Sequence, residues 1–175
     1  MLSEVRKLSP KPIKYLVVSH HHFDHSGGVR AFAGEGVALI THELGKAYFE
    51  RIVAAPATVN PDHLARSGKK ATVEGVRDRR VLTDGTRTVE VRHIAGILHA
   101  DDLLMVYLPK EKVLIEADAY TPPAPNAAPM SPPSPFNVSL VENITKQALA
   151  VDQILPLHGR IVPLAELHKA VGHTP

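Results

Sequence analysis

Four candidate metal ligands lie within six residues near the start of the chain. They are the three histidines and the aspartate of a short motif: His20, His22, Asp24 and His25. The first two histidines are two positions apart, so in an extended segment both side chains point to one face. The Asp-His pair follows where the chain turns, so it can reach a second position across the same cavity. Imidazole and carboxylate together suit zinc, iron or manganese.

Predicted strands position this motif and three later ligands. The apolar run 13–18 leads into the motif and Gly27-Gly28 follows it, which is the pattern of a strand, a loop and the start of a helix. A lone His-x-His pair could be an accidental histidine-rich loop, but the added Asp-His pair and the glycines favour a metal site. Three further candidates each follow a predicted strand, where sites in layered α/β folds collect: His99, Asp118 and His158.

These four segments, in this order, resemble the signature of the metallo-β-lactamase-fold hydrolase superfamily. The resemblance implies an α/β domain built as a four-layer αββα sandwich, with two mixed sheets inside, helices outside and the metals at one sheet edge. It implies that His20, His22 and His99 hold one ion. It also implies that Asp24, His25 and His158 hold the second, and that Asp118 bridges the two.

The implied site is that of a hydrolase. Two divalent ions roughly 3.5–4 Å apart need a shared anion, which a bridging carboxylate supplies. Water held between them has its pKa lowered from about 15.7 toward 7, so metal-bound hydroxide can attack an ester-type carbonyl or phosphoryl centre. Asp24 and Asp118 are the carboxylates assigned catalytic roles. Two zinc ions are expected, with iron or manganese as alternatives, and Asp101 and Glu116 are candidates to orient the imidazoles.

The residue types narrow the subclass but leave the substrate open. The chain has no cysteine, so the cysteine ligand of the commonest lactamases is absent, and His22 stands where the oxygen-reducing diiron branch has glutamate. The pattern resembles the glyoxalase II, lactonase, arylsulfatase-like and phosphodiesterase branches, which suggests cleavage of a carboxylic ester, lactone, thioester or phosphoester. One alternative is a catalytically silent or weakly active metal-binding module. A nuclease is a third, although it would need a more basic surface.

A proline-rich segment, 121–136, follows the bridging aspartate and contains seven prolines. It is predicted either as a stiff exposed connection with polyproline character or as a wall of the substrate pocket. In the second case the residues contacting a small-molecule substrate are Tyr120, Met130, Phe136 and His42. Of the remaining histidines, His93 competes with His99 as a ligand but lacks the preceding glycine.

Composition predicts one globular domain over residues 1–175, with a polar lead-in at 1–12. The formal charge is +2, and no apolar run is long enough to span a membrane. The first residues lack a secretory signal, which favours the cytoplasm. Because family members usually carry several strands before the first motif, the domain is expected to be N-terminally shortened. The strand edge this would expose predicts a homodimer.

The periodicity of apolar residues and the turn residues predict the elements. Strands are predicted over 13–19, 37–41, 81–83, 88–94, 103–108, 112–117 and 153–157. Helices are predicted over 28–33, 44–53, 60–67, 137–151 and 163–171. His21, His63, His168 and His173 are predicted to lie outside the metal site.

Overall fold

The structure, a computed structural model, describes residues 2–125, 127–128 and 130–172. These residues form two compact units that divide between Gly75 and Val76. The helices are α1 Leu2–Leu8, α2 Phe23–Ser26, α3 Val29–Gly34, α4 Glu43–Ala54, α5 His63–Ser67, α6 Pro135–Lys146 and α7 Leu164–Ala170. The strands are β1 Tyr15–Val17, β2 Ala38–His42, β3 Val73–Val76, β4 Arg79–Thr83, β5 Thr88–His93, β6 Leu104–Leu108, β7 Val113–Glu116, β8 Gln153–Pro156 and β9 Val162–Pro163.

The N-terminal unit is a three-stranded sheet in the order β1-β2-β3 with helices packed on it. Strands β1 and β2 are parallel, with Val17 opposite Ile40. Alternate residues of a strand face opposite sides, and Leu39 is fully buried with Phe32 of α3 and Phe49 of α4. This apolar cluster fixes the end of β1, and therefore the start of the His20–His25 loop.

The C-terminal unit is a six-stranded mixed sheet in the order β4-β5-β6-β7-β8-β9. Strands β4 to β7 form an antiparallel meander, whereas β7 and β8 are parallel. A parallel pair needs a crossover connection, and here the crossover contains α6. Leu140 and Ile144 of that helix are buried against a core that includes Leu114 and Ile154. The ends of β7 and β8 that precede Asp118 and His158 therefore lie side by side.

Several predicted boundaries are wrong, each for a local reason. Residues 1–12 were predicted as a lead-in, but α1 occupies part of them. The last helix before β8 was predicted to reach Val151, but it ends at Lys146, because Ala148 has a positive φ of 50° and the chain turns there. Leu149 and Val151 continue the apolar pattern as core residues of the following loop. Short elements without a clear pattern were missed: α2, β3 and β9.

The α/β class with two sheets is confirmed, and the six-stranded sheet is mixed. The single domain over 1–175 and the homodimer stay predictions. Within the part of the chain that the structure describes, no helix is both long and apolar enough to cross a membrane. The prediction for His173 lies outside the described residues, as do Asn126 and Pro129 of the proline-rich segment.

Candidate metal centre

The first ligand loop is held by backbone hydrogen bonds at both ends. The amide of Val18 donates to the carbonyl of Ile40 at 2.9 Å, which extends the pairing of β1 one residue toward the loop. At the other end the amides of His25 and Ser26 donate to the carbonyl of His22 at 3.1 and 2.9 Å. These bonds form the first turn of α2, so the histidines lie on a fixed bend between a strand and a helix.

Three of the histidines in this loop pack against one another. The ring centroid of His20 lies 4.5 Å from that of His22 and 4.5 Å from that of His25. His20 is buried, and Nε2 of His25 lies 3.2 Å from a carboxylate oxygen of the exposed Asp24. The fourth histidine, His21, packs edge-on against Tyr48 of α4 at 6.0 Å. The loop thus gathers three imidazoles and one carboxylate.

In the C-terminal unit, Asp118 lies between two histidines. One carboxylate oxygen is 3.2 Å from Nε2 of His99, and the other is 3.2 Å from Nε2 of His158. The backbone of Asp118 has a φ of +60°, in the left-handed region that aspartate tolerates better than most residues. A carboxylate whose two oxygens face two different imidazoles has the donor arrangement that a bridging ligand requires.

Glu116 holds the turn that presents Asp118. Its side chain is 2% exposed, and one carboxylate oxygen accepts the amides of Ala119 and Tyr120 at 3.0 and 3.1 Å. The other oxygen has no partner among residues 2–125, 127–128 and 130–172. Burial raises the pKa of Glu116 to about 8, and the nearby charge of Asp118 raises it further, against the lowering effect of the two amides. The carboxyl therefore favours its neutral form in the folded, metal-free chain.

His99 is supported by α6. The side-chain amide of the buried Asn143 accepts the N–H of Ala95 and donates to the carbonyl of the same residue, both at 3.0 Å. Phe136, at the start of α6, packs edge-on against the His99 ring with the centroids 5.5 Å apart. The helix therefore fixes both the backbone of the loop that carries His99 and the orientation of its ring.

Replacing Asn143 by alanine should destabilise the protein by about 1–2 kcal/mol, because the amide and the carbonyl of Ala95 lose their hydrogen bonds to this buried side chain. The same change should weaken metal binding by about 10–100-fold, as expected when a group that orients a ligand is lost. Urea unfolding and a metal titration measure the two effects. Glu142→Ala, an exposed change on the same helix, is the control and should leave both unchanged. Equal metal affinity in the two variants would contradict this role for Asn143.

The four residues predicted to contact the substrate differ in their burial and in their contacts. Tyr120 is buried and its hydroxyl has no partner within the described chain, whereas Met130 is exposed. Phe136 contacts His99, as described above. His42 is buried, and its Nδ1 accepts the amide of Leu44 at the N-terminus of α4. Their roles in substrate binding stay predictions.

His93, the predicted competitor of His99, has another contact. It lies in β5, with its Nε2 3.0 Å from the backbone carbonyl of Asp101.

Asn143 was not predicted as a support of the site. A polar residue between Leu140 and Ile144 on an apolar helix face is nevertheless the kind of signal that marks a buried hydrogen bond.

Each unit contributes histidine and carboxylate side chains of the kinds that bind metal ions. In the N-terminal unit these are His20, His22, Asp24 and His25, and in the C-terminal unit they are His99, Asp118 and His158. A two-sheet α/β fold that carries such groups at strand ends defines a class of metalloprotein. Residues 2–162 match the Metallo-beta-lactamase superfamily, and the chain belongs to this superfamily.

One relative is the Linear primary-alkylsulfatase of Pseudomonas sp. (strain ATCC 19151), with 31% identity over 93% of this chain. The chain spans only 37% of that relative's length. Among solved structures, a metallo-beta-lactamase from Pontibacter korlensis matches 98% of this chain and 73% of its own, with 21% identity and a TM-score of 0.67. The rubredoxin oxygen:oxidoreductase of Desulfovibrio gigas matches 98% of this chain and 46% of its own, with 22% identity and a TM-score of 0.69. These likenesses confirm the predicted metallo-β-lactamase-like fold.

Proposed function

We propose that this protein is a hydrolase of ester-type bonds that uses two divalent metal ions. The observation that carries the proposal is Asp118, whose two oxygens each face a different imidazole at 3.2 Å. A structural role alone does not require this arrangement, because a single histidine would satisfy the carboxylate. The buried Glu116 and the left-handed backbone of Asp118 also support a functional role for this turn, since strained positions cluster at functional sites.

The donor set fits zinc, with iron and manganese as alternatives, because it combines imidazole nitrogens with carboxylate oxygens and contains no thiolate. We propose that His20, His22 and His99 bind one ion and that Asp24, His25 and His158 bind the other. Asp118 is proposed to bind both. When bound, such ions lower the pKa of water and polarise the oxygen of the bond that is cleaved.

The chain's own residues would hold the ions in place for this chemistry. Asp118 would offset the repulsion between two cations, because it carries a negative charge that both share. The side chain of Asp24 is 66% exposed, so its carboxylate is accessible from solvent while it contacts His25. The carboxyl of Glu116 keeps Asp118 in place through the amides of Ala119 and Tyr120.

The substrate class is proposed as a small-molecule ester in the wide sense: a carboxylic ester, lactone, thioester, phosphoester or sulfate ester. The relative named as a linear primary-alkylsulfatase favours adding alkyl sulfates to this range. A catalytically silent metal-binding module has the same ligands and differs only in turnover. A nuclease has weaker support, because Arg79, in the short basic segment Arg77-Asp78-Arg79-Arg80, pairs with Glu90 at 2.5 Å.

Metal removal tests the proposal. We expect about two zinc ions per chain by elemental analysis, since a bridging carboxylate implies a two-metal site. We also expect hydrolysis of at least one substrate in a panel of p-nitrophenyl esters, lactones, thioesters, bis-p-nitrophenyl phosphate and alkyl sulfates. Chelation should abolish this hydrolysis and added zinc should restore it.

The control is His168→Gln, which changes a histidine outside both ligand sets and should retain metal content and activity. Two ions bound without turnover of any substrate in the panel would favour the silent module. Hydrolysis that survives complete chelation would show that the activity does not belong to this centre.

A further inference from the structure

An open cavity of about 450 Å³ lies in the C-terminal unit, bordered by the proline-rich segment. This volume is within the range of small-molecule sites, about 300–1,000 Å³. The segment contributes small or apolar side chains, among them Ala127, Ala128 and Met130, whereas α7 contributes Glu166 and Lys169. The lining therefore combines an apolar surface with a few charged groups, which is the usual composition of a ligand site.

Two buried hydrogen-bond donors in the lining of this cavity have no partner among the described residues. They are the hydroxyl of Tyr120, a residue that is 2% exposed, and Nε of Arg160. By contrast, the hydroxyl of Tyr107 donates to the carbonyl of Ala150 at 2.9 Å. Buried polar groups are nearly always paired, and an exception needs an explanation. A ligand with an acceptor oxygen would supply the missing partner.

The charges at the cavity favour an anionic ligand. Both terminal nitrogens of Arg160 contact the carboxylate of Glu166, at 3.0 and 2.5 Å, so these two charges largely offset each other. Lys169 leaves an excess of one positive charge in the lining. A carboxylate or a similar oxygen group is therefore preferred over an ammonium group.

Two residues that line the cavity are close in sequence to proposed metal ligands of the same unit. Tyr120 follows Asp118 by two residues and Arg160 follows His158 by two, so each lies within about 7 Å along the chain of a ligand. A Cβ atom at Gly159 would lie 3.1 Å from Pro122 Cδ, which shows that the turn after His158 packs against the start of the proline-rich segment.

We propose that this cavity binds the non-reacting end of the substrate, an apolar chain that carries a carboxylate or another anionic oxygen group. The hydroxyl of Tyr120 donates to that oxygen, and Lys169 balances its charge. The apolar chain lies against Met130 and the alanines. The assignment to a substrate rests on the proposed function, whereas the binding itself does not.

The test uses two probes of equal chain length and opposite charge, octanoate and octylammonium, titrated calorimetrically into the metal-free protein. Octanoate should bind at least about tenfold more tightly than octylammonium, and Tyr120→Phe should weaken octanoate binding roughly tenfold. Lys169→Gln should reduce the preference for octanoate. Tyr107→Phe and Lys110→Gln are matched controls, because they alter a tyrosine with a protein partner and an exposed lysine outside the cavity. They should leave octanoate binding unchanged.

Thermal unfolding without ligand tests whether the hydroxyl of Tyr120 is unpaired in the folded protein. Tyr120→Phe should not lower Tm, whereas Tyr107→Phe should, because only Tyr107 loses a hydrogen bond. A lowered Tm for Tyr120→Phe would mean that its hydroxyl is already satisfied within the protein. That result would overturn the proposal, as would octanoate binding of equal strength in wild type and Tyr120→Phe, or no octanoate binding at all.

The same probes separate this proposal from the proposed function. Binding to metal-free protein requires no turnover, so an inactive substrate panel would contradict hydrolysis without deciding the cavity. If hydrolysis is found, octanoate should inhibit it competitively, and its inhibition constant should rise roughly tenfold in Tyr120→Phe. Noncompetitive inhibition would overturn the assignment of the cavity to the substrate.

Discussion

Asp118→Asn should lower kcat/KM by more than about 100-fold, which is beyond the effect of changing a group that only orients a ligand. The asparagine keeps one oxygen but replaces the other with an amide nitrogen, which cannot bind a cation. One of the two contacts at 3.2 Å, to His99 or to His158, is therefore lost as a metal-binding position. The negative charge shared by the two cations is lost as well. Elemental analysis should show fewer than two ions per chain.

The fold should survive this substitution, which makes the result interpretable. Asparagine tolerates the left-handed backbone of position 118 about as well as aspartate does. Circular dichroism and urea unfolding should therefore match the wild type in the absence of metal. Asp152→Asn is the matched control: its carboxylate is exposed and contacts Lys112 at 3.6 Å. Two bound ions and full activity in Asp118→Asn would refute a bridging role.

The placement of the candidate ligands after strands could be predicted from the sequence, because it depends on short-range patterns. The first motif has histidines two positions apart, an aspartate two residues later and glycines after it. This pattern restricts both the local backbone conformation and the kinds of metal ion that the side chains would bind. His99, Asp118 and His158 each follow an apolar strand, and a strand's exit is recognisable without knowledge of the sheet order. Elements with a strongly periodic apolar pattern, such as β5, β6 and α4, had their bounds predicted within one or two residues for the same reason.

The contacts that support the candidate ligands could not be predicted in this way. Glu116 was predicted as a candidate to orient an imidazole, but its carboxylate accepts the amides of Ala119 and Tyr120, which only the sharp turn at Asp118 brings back to it. Asn143 reaches Ala95 across 48 residues of sequence. The hydroxyl of Tyr120 is unpaired because no acceptor among the described residues lies within hydrogen-bond distance, and the sequence contains no signal for such an absence. Contacts of this kind arise from packing, which periodicity does not encode.

Glu116 also predicts how stability changes with pH in the metal-free protein. The pKa of its carboxyl rises from an ordinary 4.5 to about 8 on folding. Between these values the folded chain retains a proton that the unfolded chain has released, so the free energy of unfolding falls as pH rises. Each unit of pH lowers the free energy of unfolding by up to about 1.4 kcal/mol, which gives a loss on the order of 4 kcal/mol between pH 5 and pH 8.

Glu116→Gln isolates this contribution, because glutamine stays neutral at every pH and its oxygen can still accept the amides of Ala119 and Tyr120. Urea unfolding of the metal-free proteins at pH 5, 6.5 and 8 should show that the variant loses less stability than the wild type across this range. All other titratable groups are the same in both proteins, so their effect on the pH dependence cancels in the difference. Glu142→Gln changes an exposed carboxylate on α6 and should follow the wild-type curve. If the curves of wild type and Glu116→Gln run parallel, then Glu116 is ionised in the folded protein, and an unseen cation or donor must reach its second oxygen.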